Sequence, residues 1–140
     1  MPSPQALDDT EVQALKNTLD DEYKSREIYA HDFGEVRPFI NIVEAEARHV
    51  SALLNLIEKY NVSPPANRWA GKAHRFSNVH EACVAGVQGE IENVAIYDRA
   101  LKSTRRPNIL AVYQALRSAS QDRHLPAFQR CAQRSPGRGR

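Results

Sequence analysis

The sequence of this chain lacks the features that mark several large classes of protein. It has no run of eighteen or more apolar residues, so no segment is expected to span a membrane. Its first five residues carry neither a basic flank nor an apolar run, so they are not expected to form a signal peptide. A chain that begins after a removed signal would look the same, so cytoplasmic and exported locations both stay open. Strand-like alternation is almost absent and no repeat of solenoid length occurs, which argues against sheet-rich and repeat folds.

Basic residues are plentiful, but they do not form the pattern of a nucleic-acid-binding protein. Residues 1–60 carry 6 Lys or Arg and 12 Asp or Glu, whereas residues 61–140 carry 13 and 5. No basic stripe is interleaved with aromatic side chains, so nucleic acid is not an expected partner. Residues 133–140 (QRSPGRGR) are predicted to be a disordered basic tail. Residues 1–132 are predicted to form one soluble domain, since 41% hydrophobic and 26% charged residues are ordinary values.

Apolar residues recur at steps of three and four in four separate segments, which is the spacing of one face of an α-helix. The first predicted helix runs from about Asp9 to Phe33. Either Asp8 or the residue after it suits its cap, and Gly34 suits its end. The second predicted helix begins near Arg37-Pro38, because proline is favoured in a first helical turn.

The other two predicted helices follow a long connection. Residues 61–78 contain two adjacent prolines and a glycine, so they cannot form a continuous helix. The third helix is predicted to begin near Ser77 or Asn78. The fourth begins after Pro107 and meets Pro126, where a kink or an early end is expected. Two short connections and one long one predict an all-α four-helix bundle with a long crossover between its second and third helices.

Five polar side chains occupy positions where these helices should present apolar ones. They are Glu22, Glu46, His49, Glu90 and His124, with at least one on each helix. An unpaired buried carboxylate is costly, so a group of them needs a common partner. Counting turns from the helix connections puts all five at one level of an antiparallel bundle. Divalent metal is the natural partner of converging carboxylates and imidazoles, so the five are predicted metal ligands.

Three stretches of the chain resemble a known group of proteins. They are residues 21–29 (DEYKSREIY), 37–49 (RPFINIVEAEARH) and 119–128 (ASQDRHLPAF). They look like a bacterial and archaeal domain of unknown function that belongs to the ferritin-like superfamily, near rubrerythrin. The resemblance covers about residues 10–132, and the stretch 37–49 is its most specific part.

The resemblance implies a ferritin-like bundle that holds a carboxylate-bridged centre of two irons or two manganese ions. In that pattern Glu22 is a terminal ligand and Glu46 bridges the ions. His49 binds one ion, Glu90 is the carboxylate of the third helix, and His124 is the second imidazole. Such a centre implies reduction of peroxide or dioxygen by an oxidase or peroxidase. The chain has no Cys-x-x-Cys pair, so electrons would come from an external donor, and related folds often form homodimers.

Gln121 departs from the family pattern, because the fourth helix usually carries a second Glu-x-x-His. A neutral amide three residues before His124 is a poor substitute for a carboxylate. The departure favours an alternative in which one ion has a structural or sensing role without catalysis. A metal-free interaction module is a third interpretation, in which the three carboxylates pair with Arg26 and the histidines.

The two cysteines lie on core-facing stripes near the same end of the predicted bundle. A disulfide between Cys83 and Cys131 is favoured over two buried free thiols, and it would suit an oxidising compartment. Both lie about two turns from the Glu90 level, too far away to bind the metal. Trp69 is expected to anchor the crossover against the bundle. One of four core tyrosines is a candidate to hydrogen-bond a ligand carboxylate: Tyr23, Tyr29, Tyr97 or Tyr113.

Overall fold

A computed structural model of the protein describes residues 6–31, 33, 35–72 and 75–134. Within those ranges the chain forms helices joined by turns and loops, which confirms the all-α prediction. The elements are α1 (Asp9–His31), α2 (Phe39–Lys59), α3 (Val79–Leu101), α4 (Pro107–Ala119), a π-helical turn (Ser120–His124) and α5 (Leu125–Ala132). The last three elements are continuous and are called the fourth run below, so the architecture is a four-helix bundle. None of the described helices is long and apolar enough to cross a membrane.

Side-chain caps begin two of the helices at the predicted places. The Asp8 carboxylate accepts a hydrogen bond from the backbone N–H of Glu11 at 2.8 Å, and Glu11 accepts one from the N–H of Asp8 at 3.0 Å. This reciprocal pair satisfies two donors that a first helical turn leaves free. Asn78 starts α3 in the same manner, because its side-chain oxygen accepts a hydrogen bond from the N–H of Glu81 at 2.9 Å.

The predicted ends of the first helix and of the domain are less fully described. α1 ends at His31, two residues before the predicted end at Phe33. Gly34 lies outside the described residues, as do residues 135–140 of the predicted tail. The division into a domain of residues 1–132 and a tail of residues 133–140 therefore stays a prediction.

The core consists of two apolar clusters with a polar layer between them. The first cluster takes residues from all four runs, among them Leu15, Leu53, Tyr97 and Ile109. The second does the same at the other end of the bundle, with Tyr29, Phe39, Cys83 and Phe128 among its members. α1 and the fourth run pass from the first cluster to the second, whereas α2 and α3 pass from the second to the first. The chain must therefore cross the whole bundle between α2 and α3, as predicted.

The described part of the crossover, residues 61–72 and 75–78, contacts the outside of α1. Arg68 makes two hydrogen bonds to the Asp20 carboxylate, at 2.8 and 2.9 Å. The indole N–H of Trp69 donates to the same carboxylate at 3.1 Å, and the backbone N–H of Gly71 donates to Glu27 at 3.4 Å. Trp69 therefore anchors the crossover to the bundle, as the sequence predicted, and it does so on the α1 side.

The fourth run departs from a regular helix before Pro126 rather than at it. The sequence predicted a kink or an early end at the proline, but Pro126 lies in the first turn of α5. The irregularity comes just before, where the backbone N–H of Leu125 bonds to the carbonyl of Ser120, five residues back. A π turn contains an extra residue, so it changes which side chains face the core and allows a proline to begin the next helix. Ser120 and His124 are the two residues of the turn that are buried.

A disulfide joins Cys83 of α3 to Cys131 of α5, in agreement with the pairing that the sequence favoured. The Cα atoms are 5.8 Å apart and both side chains are buried. Gly86 allows the two helices to approach here, because a Cβ atom at this position would lie 2.7 Å from the Phe128 ring. The bond therefore holds the run that carries His124 against α3.

Candidate metal centre

The structure brings all five predicted side chains into the polar layer between the two apolar clusters. Their exposed fractions are 0% for Glu22, 2% for Glu46, 7% for His49, 1% for Glu90 and 4% for His124. One comes from α1, two from α2, one from α3 and one from the π turn. The five groups therefore meet at one depth, and their role as metal ligands stays a prediction.

Glu22, Glu46 and His49 form the first group of close side chains. One ligand atom from each lies within 4.8 Å of the others. His49 Nδ1 is 3.3 Å from Glu22 Oε1 and 3.8 Å from Glu46 Oε1. Because Glu46 and His49 are three residues apart, one face of α2 presents both. Two carboxylates and one imidazole at these distances are suited to a divalent cation.

Glu46 also belongs to a second group, together with Glu90 and His124. These ligand atoms again lie within 4.8 Å of one another. His124 Nδ1 is 3.2 Å from Glu46 Oε1 and 3.3 Å from Glu90 Oε1. The rings of His49 and His124 stack with their centroids 5.6 Å apart, so the two groups lie side by side. Glu46 is therefore placed between two groups, each of which contains one imidazole.

Two buried atoms of the second group have no hydrogen-bond partner within the described ranges. They are Glu90 Oε1 and His124 Nδ1, which lie 3.3 Å apart without the alignment of a hydrogen bond. A buried polar atom that is left unpaired costs about 1–3 kcal/mol. One cation bound between them would satisfy both atoms, so the donors present fit a metal ion at this position.

Two of the four candidate tyrosines hydrogen-bond to carboxylates of the layer. The Tyr29 hydroxyl donates to Glu90 Oε2 at 2.7 Å, and the Tyr97 hydroxyl donates to Glu22 Oε2 at 2.5 Å. Burial raises the pKa of both tyrosines well above the ordinary value, and the neighbouring carboxylates raise it further. Both therefore stay protonated as donors. Each fixes one oxygen of its carboxylate and leaves the other oxygen to face a histidine.

A chain of polar side chains behind the layer was missed by the sequence reasoning. The Ser120 hydroxyl donates to Asn93 Oδ1 at 2.6 Å. Asn93 Nδ2 donates to Asp21 at 2.6 Å and more weakly to Glu22 at 3.5 Å. Burial raises the pKa of Asp21 to about 6, although the Asn93 bond opposes the shift. Asn93 follows Glu90 by three residues on the same helix face, and this spacing was the signal that could have identified it.

Gln121 is exposed, so it does not take the place of a second carboxylate ligand. The π turn instead puts Ser120, four residues before His124, on the buried side. The fourth run therefore contributes one predicted ligand to the layer rather than two. Gln121 therefore departs from the family pattern both in residue type and in position, since its side chain lies outside the buried layer.

The ionic network expected of a metal-free bundle is present only in part. Arg26 is exposed, whereas Glu22 is fully buried and bonded to Tyr97. The predicted pairing of Glu22 with Arg26 is therefore wrong. The buried stripe of α1 continues through Ser25 rather than through Arg26. Glu22 does pair with His49, whose Nδ1 lies 3.3 Å from Glu22 Oε1, whereas His124 Nδ1 lies 3.2 Å from Glu46 Oε1 without a hydrogen bond.

Crowding of carboxylates sets the protonation of the layer. Burial raises the pKa of Glu46 well above its ordinary value, and the charge of Glu22 raises it further. Burial also acts to raise the pKa of Glu22, but hydrogen bonds from Glu46 and His49 outweigh it and hold that pKa below its ordinary value. Without metal, burial and crowding therefore favour the protonated form of Glu46, with its hydrogen bond directed to Glu22. A cation would displace this proton, because it stabilises the ionised carboxylate.

Comparisons with known proteins place the chain in a helical family without an assigned activity. A crystal structure of a hypothetical protein from Methanococcus jannaschii is similar, with a TM-score of 0.80 and 22% identity over 94% of this chain and 85% of that one. At this identity the likeness concerns the fold alone. A comparison with curated proteins found no match. The model of a family described as an uncharacterized protein domain, DUF2202, matches residues 11–138. Because this match spans nearly the whole chain, the protein belongs to the DUF2202 family.

Proposed function

We propose that this protein holds a centre of two metal ions, two irons, and uses it to reduce peroxide or dioxygen. The observation that carries the proposal is the position of Glu46, which belongs to both buried groups. Glu22, Glu46 and His49 would hold one ion. Glu46, Glu90 and His124 would hold the other. A carboxylate shared in this manner supports a bridged pair of ions rather than a lone site.

The donor set fits iron or manganese better than softer metals. Three carboxylates and two imidazoles supply oxygen and nitrogen atoms, which suit these ions, whereas thiolate ligands suit softer metals such as Cu(I). Cys83 and Cys131 are bonded to each other within the second apolar cluster, so neither is a ligand. The resemblance of the sequence to a group of the ferritin-like superfamily near rubrerythrin supports iron, since ferritin-like bundles hold di-iron carboxylate centres.

The residues around the layer support a redox reaction on a small molecule. When bound, two irons supply electron transfer to peroxide or dioxygen. The two apolar clusters exclude bulk water from both ends of the layer. Tyr29 and Tyr97 hold the outer oxygens of their carboxylates, so the inner oxygens keep their direction. The sequence has no Cys-x-x-Cys pair, so an external donor would supply the electrons.

A single ion with a structural or sensing role is the second candidate function. The exposure of Gln121 favours it, because the fourth run then supplies one ligand where the ferritin-like pattern has two. The two candidates differ in stoichiometry and in turnover, so both can be tested on the same preparation.

Elemental analysis of untagged protein tests the metal content. We expect about two irons or manganese ions per chain. The Glu46→Ala, His49→Ala variant should lose them, whereas Glu44→Ala should keep them, because Glu44 is an exposed carboxylate on the same helix. About one ion per chain would support the structural or sensing role. No ion in the wild-type protein, even after iron loading, would refute both candidates.

Turnover of peroxide separates catalysis from a structural role. Iron-loaded protein with a chemical reductant should consume hydrogen peroxide or dioxygen, and the Glu46→Ala, His49→Ala variant should not. If a preparation with both ions bound consumed neither oxidant, the proposed reaction would be refuted, but the proposed metal centre would not. Related folds often form homodimers, and analytical ultracentrifugation tests separately whether this chain does.

A further inference from the structure

The histidine side of the layer opens onto a groove at the protein surface. The groove has a volume of about 840 Å³ and lies between α2 and the fourth run, with His49 and His124 in its wall. It exists because α2 and α4 pack less closely than the other neighbouring helix pairs. A volume of this size falls within the usual range of small-molecule sites, roughly 300–1,000 Å³.

The lining of the groove changes from apolar at its floor to charged at its mouth. Ile42 and Leu116 line it and are buried, with exposed fractions of 4% and 7%. Arg48 and Arg123 line the same groove and are exposed. Each arginine immediately precedes one of the two histidines, so one guanidinium belongs to the α2 wall and the other to the opposite wall. Asp122 is the one acidic residue of the lining, which leaves the mouth with a net positive charge.

We propose that this groove binds a small amphipathic carboxylate. The carboxylate would lie between Arg48 and Arg123, and the apolar body would lie toward Ile42 and Leu116. In the described part of the chain no hydrogen bond or ion pair engages either guanidinium, so both are available to a ligand. Guanidinium groups match carboxylates well, because their N–H donors form a planar fork.

The combination of charge and apolar surface selects this class of ligand. A wholly apolar molecule would leave the two guanidinium groups unused, and a small inorganic anion would leave the apolar floor empty. The wall also contains His124, whose buried Nδ1 atom has no partner within the described ranges, so the groove ends at the candidate metal centre. The role of the ligand as a substrate of that centre rests on the function proposed above, whereas its binding to the groove does not.

Calorimetric titration with octanoate tests the proposal on metal-free and on metal-loaded protein. Octanoate should bind to both forms, and about tenfold more tightly than 1-octanol, which has the same chain without the charge. The Arg48→Gln, Arg123→Gln variant should weaken octanoate binding by about tenfold, since each exposed guanidinium–carboxylate pair contributes modestly. Its binding of 1-octanol should not change. The matched control Arg26→Gln, Arg130→Gln removes two exposed charges outside the groove and should bind octanoate as the wild type does.

The outcomes distinguish this proposal from the function of the centre. Equal binding of octanoate by the wild type and the Arg48→Gln, Arg123→Gln variant would overturn the proposal, even where two metal ions are found. Absence of octanoate binding in both metal forms would also overturn it. Arginine-dependent binding to a protein that takes up no metal would uphold the groove and refute the metal function.

Discussion

Replacement of Glu46 with glutamine tests the shared carboxylate most directly. The substitution keeps the size of the side chain and removes its ability to carry a negative charge. In the metal-free protein burial raises the pKa of Glu46 well above its ordinary value, which favours the neutral form of this side chain. Glu46→Gln should therefore change the free energy of unfolding of the metal-free protein by less than about 1 kcal/mol.

The metal-loaded protein should respond very differently to the same substitution. An ion at about 100 times its Kd stabilises the folded state by about 2.7 kcal/mol. For a domain of this size such a gain raises Tm by about 8–10 °C. Because Glu46 belongs to both groups, Glu46→Gln should abolish the rise for both ions. Glu90→Gln affects one group and should remove only part of the rise, whereas the exposed control Glu44→Gln should keep all of it.

Differential scanning calorimetry of the metal-free and metal-loaded forms of these proteins provides both quantities. The same metal-induced rise in Tm for the wild type and Glu46→Gln would refute the reasoning that Glu46 serves both groups. A metal-free Glu46→Gln variant several kcal/mol less stable than the metal-free wild type would refute the reasoning about its protonation.

Three further predictions concern the bundle around the centre. Gly86→Ala should lower the free energy of unfolding in urea by about 1–3 kcal/mol, because its Cβ would lie 2.7 Å from the Phe128 ring, and an unchanged midpoint would contradict that close approach. Replacing Cys83 and Cys131 with serine should cost about 4 kcal/mol, since the bond spans 48 residues, and melting of the wild type with and without reductant should show the same loss. Burial acts to raise the pKa of Glu11, but hydrogen bonds from the connection after α3 hold it below the ordinary 4.5. Its stabilisation is therefore present above pH 4.5 and lost as the pH falls through the lowered pKa. Wild type and Glu11→Gln should differ in urea unfolding at neutral pH and converge as the pH falls below that lowered pKa.

The polar layer could be predicted because it breaks a strong pattern. Long helices with apolar steps of three and four show which positions face inward, and a carboxylate on such a stripe stands out. Antiparallel packing then fixes the depth of each such residue in the bundle, because its distance in turns from the end of its helix is known. The crossover followed from the prolines of residues 61–78, and the starts of α1 and α3 followed from cap residues whose side chains make the expected bonds.

The parts that could not be predicted depend on contacts that leave little trace in the sequence. A step of three or of four after Glu22 keeps a residue near the same face, so the period alone could not choose between Ser25 and Arg26. No characteristic residue composition marks a π turn, so the sequence around His124 and Pro126 does not reveal one. Small polar residues such as Asn93 carry no apolar signal, although their hydrogen bonds orient the layer.

The route of the crossover decides which side of the bundle can exchange molecules with solvent. α2 and α3 run in the same direction and lie diagonally across the bundle, so the chain could return along either of two outer faces. It passes over α1, where Arg68 and Trp69 hold it, and among the described residues it leaves the seam between α2 and the fourth run uncovered. If the crossover returned over the fourth run instead, every helix and every predicted metal ligand would stay in place, but the seam would be covered. The path of one loop can therefore decide which molecules reach the buried layer, even in two bundles with the same buried side chains.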